Sequence, residues 1–153
     1  MTDSRTTAFE FIDRQQVGAV LRLLHDRPAA RNAESQGLLD ELDQALQSAE
    51  QDTSVRVVII GGHGEHFSAG HDLKEAQTRR AGFTVEERFA YESVRYFEYC
   101  QRIWDFPKPT IAEVQGACVA GGFMVANACD LVIAAEDAFF SDPVCHTLAT
   151  ASV

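Results

Sequence analysis

The sequence has few basic residues and no long apolar run. Its 13 lysines and arginines stand against 23 aspartates and glutamates, so the 153-residue chain carries a formal net charge of −10. A protein that binds nucleic-acid phosphates or an anionic membrane needs a clustered basic surface, and the sequence shows none. No apolar run reaches the roughly 18 to 20 residues that span a bilayer, and residues 1–9 lack the apolar core of a secretory signal. These absences predict a single cytoplasmic domain without a nucleic-acid or membrane partner.

Patterns for metal, dinucleotide and serine chemistry are also missing. His63, His66 and His71 share one loop without the regular spacing that would let them converge on a metal ion. Phe67 occupies the position at which a dinucleotide-binding Gly-x-Gly-x-x-Gly motif needs its third glycine, and Ser68 lies outside a Gly-x-Ser-x-Gly sequence. We therefore expect no metal site. The four cysteines are far apart in apolar surroundings, which is typical of reduced core thiols: Cys100, Cys118, Cys129 and Cys145.

The distribution of apolar and turn-forming residues predicts an α/β fold. Residues 9–12 and 17–24 are expected to form two short strands joined by a tight turn near Gln15 and Gln16. Apolar residues recur with helical spacing from Ser35 to Ala49, and the β-branched run at residues 55–60 is typical of a buried strand. A strand–helix–strand order of this kind favours helices packed on a sheet.

A long helix is predicted to begin after Thr84, which can form a capping box with Glu87, and to end before Pro107. Glu98 and Arg102 are spaced to pair across one exposed turn of it. Its apolar side would consist of Val85, Phe89, Tyr96, Cys100, Ile103 and Trp104. The remaining predicted elements are strands at residues 110–114, 131–134 and 138–140 and a helix at about residues 122–128.

Two loops offer main-chain groups rather than reactive side chains. Residues 67–70 follow the strand that ends at Ile60, and residues 119–122 follow the strand that ends at Val114. Small residues let a ligand approach the backbone, and a helix that begins at such a loop presents N–H groups without partners. Two converging N–H donors would stabilise an oxyanion. The alternative is that these residues serve only turns and packing.

Four segments of the sequence resemble motifs of the enoyl-CoA hydratase/isomerase (crotonase) family, in the family's order. They are Asp-Arg-Pro-Ala-Ala-Arg-Asn-Ala at residues 26–33, Phe-Ser-Ala-Gly-His-Asp-Leu-Lys at 67–74, the stretch from Pro107 through Gly122, and Cys-Asp-Leu-Val-Ile-Ala at 129–134. The resemblance extends over about residues 17–143. It is specific because four separate motifs carry it.

The resemblance implies a spiral of ββα units and an oxyanion hole that holds the carbonyl of an acyl-CoA thioester. Its two N–H donors fall on Ala69 and Gly121. Coenzyme A would enter as part of the substrate, with no separate cofactor, and the family suggests a homo-oligomer, a trimer or a hexamer. Arg27 and Arg31 could contact phosphate or could equally be solvated loop charges. The residues expected along the coenzyme A path are Ala29, Arg31, Ala69, Asp72 and Leu73.

The sequence departs from the family at the two acid–base positions. The glutamates of its hydratases fall here on Met124 and Val144, and neither side chain can carry a proton. Since one effective acid–base group contributes about 10² to 10⁴ in rate, ordinary hydration should be severely weakened. Asp142 is the nearest surviving carboxylate and a candidate replacement, or else a turn residue before a proline. His146 is a weaker candidate base, and the rival interpretation is a non-catalytic protein that binds CoA thioesters or serves as a scaffold.

The end of the sequence also differs from the family's pattern. The family's core continues beyond this point, whereas residues 145–153 do not resemble the expected continuation. We therefore predict a truncated or frame-disrupted product. Apolar faces left without cover would favour self-association.

Overall fold

A β-hairpin opens the part of the chain that is described by the computed structural model, residues 9–143. Strand β1 (Ile12–Val17) pairs antiparallel with β2 (Val20–His25). The turn falls at Gly18, not near Gln15 and Gln16 as the sequence predicted, because both glutamines pair within the ladder. Gly18 adopts φ 58°, a left-handed conformation that glycine accepts without a steric cost.

The hairpin leads into a mixed five-stranded sheet and a smaller two-stranded one. The further strands are β3 (Val57–Gly62), β4 (Thr110–Val114), β5 (Ala117–Val119), β6 (Leu131–Ala134) and β7 (Phe139–Ser141). The large sheet has the order β1-β2-β3-β4-β6, with every pair after the first parallel. In the small sheet β5 and β7 are parallel. Strand β5 was not predicted, because its residues lie within the small-residue stretch that leads to Gly121.

The helices lie between these strands. They are α1 (Gln36–Gln51), α2 (Leu73–Arg79), α3 (Val85–Glu92), α4 (Glu98–Trp104) and α5 (Gly121–Ala128), with a π-helical segment at Ser93–Phe97. Helix α1 begins as predicted at Ser35, whose hydroxyl accepts a hydrogen bond from the N–H of Leu38. Its predicted apolar face is confirmed, because Leu38, Leu42 and Leu46 are all buried. Burial of each leucine stabilises the packing on the sheet by about 1.5 to 3 kcal/mol.

The predicted long helix is divided, and only part of its apolar side is buried. Thr84 and Glu87 form the expected capping box, and Tyr96 and Ile103 are buried. Val85, Phe89 and Trp104, in contrast, are 81%, 74% and 67% exposed. The π-helical segment accounts for part of the difference, since its wider turns rotate the following residues relative to a regular α-helix.

The expected pairing of Glu98 with Arg102 is wrong. Arg102 Nε instead donates to Asp43 Oδ1 of α1 at 2.7 Å. Spacing within one helix could not reveal this partner, because it belongs to a different element. Across residues 9–143 no helix is long and apolar enough to cross a membrane.

Candidate functional site

The loops after β3 and β4, which the sequence singled out, contact each other directly. The N–H of Ser68 donates to the carbonyl of Ala117, and the N–H of Val119 donates to the carbonyl of Ser68, both at 3.0 Å. The N–H of Phe67 donates to Gln115 at 2.8 Å. These main-chain bonds hold the first loop against β5 and the residues just before it.

Glycines make this close approach possible. A Cβ added at Gly70 would lie 2.7 Å from the carbonyl oxygen of Val119, and one added at Gly122 would lie 2.6 Å from Cβ of Ser68. Gly70 also has φ 85°, which residues with side chains seldom adopt. The small residues at both positions are therefore required by contact between the loops.

The second loop delivers Gly121 to the N-terminus of α5. Ala120, the residue before it, has φ 49° and donates its N–H to the carbonyl of Ser141 at 2.9 Å. Among residues 9–143 the N–H of Gly121 has no hydrogen-bond acceptor. It belongs to the first turn of α5, where the helix dipole is positive. The predicted donor at Gly121 is thus placed with its N–H available.

Ala69 does not present a free donor, which corrects the sequence-based prediction. Its N–H donates to the carbonyl of Arg31 at 2.9 Å. That bond joins the loop to a segment 38 residues earlier, so no local pattern could have indicated it. Ala69 therefore supports the loop through its backbone and, in this conformation, has no N–H to offer a ligand.

The N–H of His71, two residues after Ala69, has no hydrogen-bond acceptor within residues 9–143. His71 forms a parallel bridge with Glu34. The bridge uses the carbonyl of Gly70, which accepts from Glu34 at 2.8 Å, and the N–H of Asp72, which donates to Glu34 at 3.0 Å. Because N–H groups alternate in direction along an extended chain, the N–H of His71 points to the opposite side.

The side chains of Glu34 and His71 also meet beside Gly121. Glu34 Oε2 lies 3.2 Å from His71 Nδ1, and Glu34 is only 3% exposed. The His71 ring packs on Tyr96 with 3.8 Å between ring centroids. A Cβ added at Gly121 would collide with the Glu34 carboxylate and lie 2.7 Å from His71 Nδ1. No pattern in the sequence indicates a role for Glu34, because only the fold brings it to this position.

Asn32 ties the loop at residues 27–33 to the loop after β3. Asn32 is fully buried, and its Oδ1 accepts from the N–H of Arg27 at 3.0 Å. Its Nδ2 donates to the carbonyls of His63 and His66 at 2.9 and 2.7 Å. Asn32 also has φ 52°, which asparagine tolerates better than most residues. The motif segment at 26–33 is thus a structural brace for the site.

The other residues predicted along the coenzyme A path, besides Ala69, divide into two groups. Ala29, Arg31 and Leu73 are exposed, and their roles stay predictions. Asp72 has a structural role, since it caps α2 by accepting from Glu75 and pairs with Arg27 at 3.0 Å. Partial burial raises the pKa of Asp72, but the hydrogen bonds from Glu75 and Arg27 outweigh it, so the pKa lies below its ordinary value.

Of the two positions at which the family's hydratases have glutamates, the structure describes Met124. Met124 lies on α5 and is 37% exposed, and it carries no ionisable group. Asp142 follows Ser141, whose carbonyl accepts from Ala120 beside Gly121, so the backbone comes close to the site there. Val144 and His146 lie outside the described residues.

Within residues 9–143 no group of three or more His, Cys, Asp or Glu side chains is arranged to hold a metal ion. The arrangement instead offers N–H donors on two contacting loops. A family profile described as enoyl-CoA hydratase/isomerase matches residues 15–147. The chain belongs to the enoyl-CoA hydratase/isomerase family. This confirms the resemblance inferred from the four motifs.

A solved structure of a relative has the same fold. The crystal structure of an enoyl-CoA hydratase/isomerase from Xanthobacter autotrophicus Py2 superimposes with a TM-score of 0.83 at 40% identity, covering 89% of this chain and 50% of that one. The crotonase-like α/β class is therefore confirmed.

The curated relatives include both hydratases and isomerases. The 2,3-dehydroadipyl-CoA hydratase of Escherichia coli is 37% identical over 86% of this chain and 48% of its own length. The peroxisomal Δ(3,5)-Δ(2,4)-dienoyl-CoA isomerase of Arabidopsis thaliana is 33% identical over 92% of this chain and 53% of its own length. The chain spans about half the length of the curated relatives it matches.

Proposed function

We propose that this family member binds an acyl-CoA thioester and polarises its carbonyl group with the N–H groups of Gly121 and His71. The observation that carries the proposal is that these two N–H groups, at adjoining positions of two contacting loops, lack acceptors within residues 9–143. A thioester oxygen between them would accept both hydrogen bonds. His71 thus replaces Ala69 as the donor from the first loop.

The chemistry supported by such a site is the stabilisation of an enolate. As negative charge develops on the thioester oxygen, two fixed donors and the N-terminus of α5 interact with it more strongly than with the neutral carbonyl. Removing one donor of this kind typically lowers the rate by about 10² to 10³. Stabilisation of the oxyanion by these main-chain donors does not depend on the side chain of Met124.

The reaction assigned to the site is proton transfer at the carbon next to the thioester, as in isomerisation or other enolate steps. Hydratases and isomerases both occur among the relatives, so membership of the family leaves the reaction open. Met124 disfavours ordinary hydration because a thioether cannot act as an acid or a base at neutral pH.

A second candidate is a non-catalytic protein that binds CoA thioesters. Met124, at a position where the resemblance implies a glutamate, favours it, since binding requires the N–H donors but no proton transfer. Measured turnover distinguishes this candidate from the first.

Self-association is proposed on separate grounds. Leu131 and Ile133 on β6 and Phe139 on β7 are each more than half exposed. Adjacent apolar side chains of this kind are typical of surfaces that bind another protein. Light scattering on the purified chain would test for a trimer or a hexamer.

The test of the carbonyl site compares two substitutions at Gly121. Gly121→Pro removes the N–H, and proline is accepted at the first position of a helix. Gly121→Ala is the matched control, because it keeps the N–H while adding the same collision of a Cβ with Glu34. Calorimetry with butyryl-CoA measures binding, and the absorption of a bound conjugated enoyl-CoA measures polarisation of the carbonyl.

We expect the parent to bind butyryl-CoA and to shift the enoyl-CoA absorption to longer wavelength. The shift should be smaller for Gly121→Pro than for Gly121→Ala. A folded parent that binds no acyl-CoA would refute the proposal, and equal shifts in both variants would exclude Gly121 as a donor.

A further inference from the structure

We propose that the imidazole of His71 is the proton-transfer group of this site and that Glu34 is the residue that positions it. The inference rests on the proposed thioester site and supplies the acid–base group that Met124 cannot provide. Its observational basis is the close pairing of a buried carboxylate with an imidazole beside the donor loop at Gly121.

The carboxylate of Glu34 is buried without enough partners of its own. The side chain is 1% exposed, and Oε1 is a buried oxygen with no hydrogen-bond partner within residues 9–143. Its other oxygen, Oε2, lies 3.2 Å from His71 Nδ1. A buried carboxylate is costly unless it is paired, and His71 is the side chain that pairs with it.

The charge of Glu34 also affects neighbouring groups. Burial first, and then the negative charge of Glu34, raise the pKa of Cys118 to about 12 and that of Cys100 to about 12. Burial and the same charge contribute to raising the pKa of Tyr96. These groups therefore remain neutral near pH 7 and do not compete with His71 for a proton-transfer role.

His71 is oriented so that one ring nitrogen stays available. Nδ1 faces Glu34, and the ring is packed against Tyr96. Nε2 has no hydrogen-bond partner among residues 9–143, and the side chain remains 16% exposed. A carboxylate that accepts from Nδ1–H holds the imidazole in the tautomer whose Nε2 can accept a proton.

The proton-transfer step requires no reactant other than the thioester and water. Nε2 of His71 takes a proton from the carbon next to the thioester, and the carbon–hydrogen bond breaks. Its electron pair forms the carbon–carbon double bond of the enolate, while the π pair of the carbonyl group moves to the oxygen. The oxyanion receives hydrogen bonds from the N–H groups of His71 and Gly121, and the imidazolium is stabilised by Glu34. The imidazolium exchanges its proton with solvent, and return of a solvent-derived proton from Nε2 to the same carbon completes an exchange. With an unsaturated acyl group, return of the proton to a different carbon completes an isomerisation.

Exchange of the α-protons of butyryl-CoA in D2O tests this assignment on the full 153-residue chain. Butyryl-CoA has no double bond to hydrate, so mass spectrometry reports proton transfer alone, while calorimetry reports binding. His71→Gln removes the base and keeps the backbone N–H. Glu34→Gln keeps the shape of the positioning side chain and removes its charge. His63→Gln is the matched control, since His63 pairs instead with Asp13 on β1.

We expect the parent to bind and to catalyse exchange. His71→Gln should bind within about threefold of the parent and lose about 10² to 10⁴ in exchange rate, whereas His63→Gln should retain both properties. Glu34→Gln should lower the exchange rate at least about tenfold with similar binding and change the ¹⁵N shifts of the His71 ring, which report its tautomer. That spectroscopic change would not accompany a merely structural role.

The outcomes separate the two proposals. A folded parent that binds no butyryl-CoA would overturn the thioester site and this assignment with it. A parent that binds but shows no exchange, or exchange that persists in His71→Gln, would overturn the role of His71 and leave the thioester site standing. If His71→Gln fails to fold, restoration of exchange by added imidazole in His71→Gly supports the assignment, and failure of the folded variant to respond contradicts it.

Discussion

Substitution of Asn32 should destabilise the protein far more than most single changes. Asn32→Ala removes three hydrogen bonds within a fully buried environment, those with Arg27, His63 and His66. At about 0.5 to 1.5 kcal/mol each, these bonds contribute about 1.5 to 4.5 kcal/mol. Alanine at φ 52° adds about 1 kcal/mol of backbone strain. We therefore expect the free energy of unfolding to fall by about 2.5 to 5.5 kcal/mol.

Two further substitutions separate the effect of the lost hydrogen bonds from that of backbone strain. Asn32→Gly loses the same hydrogen bonds but accepts the left-handed conformation. Its free energy of unfolding should therefore be about 1 kcal/mol higher than that of Asn32→Ala. Asn32→Asp keeps the size of the side chain and the tolerance of positive φ. It places a carboxylate oxygen against the carbonyls of His63 and His66, so it should be as destabilising as alanine or more so.

Urea unfolding followed by far-ultraviolet circular dichroism measures these differences, provided that the free energy of unfolding depends on urea concentration with the same slope in each variant. Asn127→Ala is the control, because Asn127 is exposed on α5 and, within residues 9–143, its side chain bonds only to the carbonyl of Phe123. It should lie within about 0.5 kcal/mol of the parent. If Asn32→Ala also lies within about 1 kcal/mol of the parent, the buried hydrogen bonds do not brace the site as inferred.

Three other measurements test separate features of the structure. Asp72→Asn keeps the cap of α2 and loses the ion pair, so it should lower the free energy of unfolding by about 1 kcal/mol at pH 7. The pKa of Asp72 in the folded protein lies below its ordinary value. The difference from the parent should therefore persist above the ordinary carboxyl pKa and disappear as the pH falls through the pKa of the folded state. Gly116→Ala should lower the free energy of unfolding by more than about 2 kcal/mol, because Gly116 has φ 53° and an added Cβ would collide with the carbonyl of Glu65. In a Cys145→Ser background, a thiol reagent at pH 8 should react slowly with the native chain, since burial raises the pKa of each remaining cysteine to about 12: Cys100, Cys118 and Cys129.

Each of these measurements has its own control. A difference between Asp72→Asn and the parent that stayed unchanged as the pH fell from 7 through the acid range would contradict the assignment to Asp72. Gly18→Ala places a Cβ in open space at a similar φ, and an equal loss in both glycine variants would exclude the collision as the cause. Thiols that react as fast in the native chain as in urea would show that they are not protected by burial.

The sequence by itself determined the local features of this protein. The spacing of leucines in α1, its cap at Ser35 and the capping box at Thr84 follow from interactions within a few residues. Periodicity and caps depend on the geometry of a single helix, so a pattern suffices to predict them. The motif segments at residues 67–74 and 107–122 likewise indicated the two loops that the fold brings together. The resemblance they carry led to the family, which the family profile confirms.

Only the tertiary structure decided which groups of those loops are available. The N–H of Ala69 is bonded to the carbonyl of Arg31, whereas the N–H of His71 points away from Glu34 and has no acceptor within residues 9–143. The partner of Arg102 was decided by the tertiary fold, which brings Asp43 of α1 within reach of α4. The pairing of Glu34 with His71 joins residues 37 positions apart. Contacts over such separations depend on how strands and loops are arranged, and no period or spacing along the chain encodes that arrangement directly.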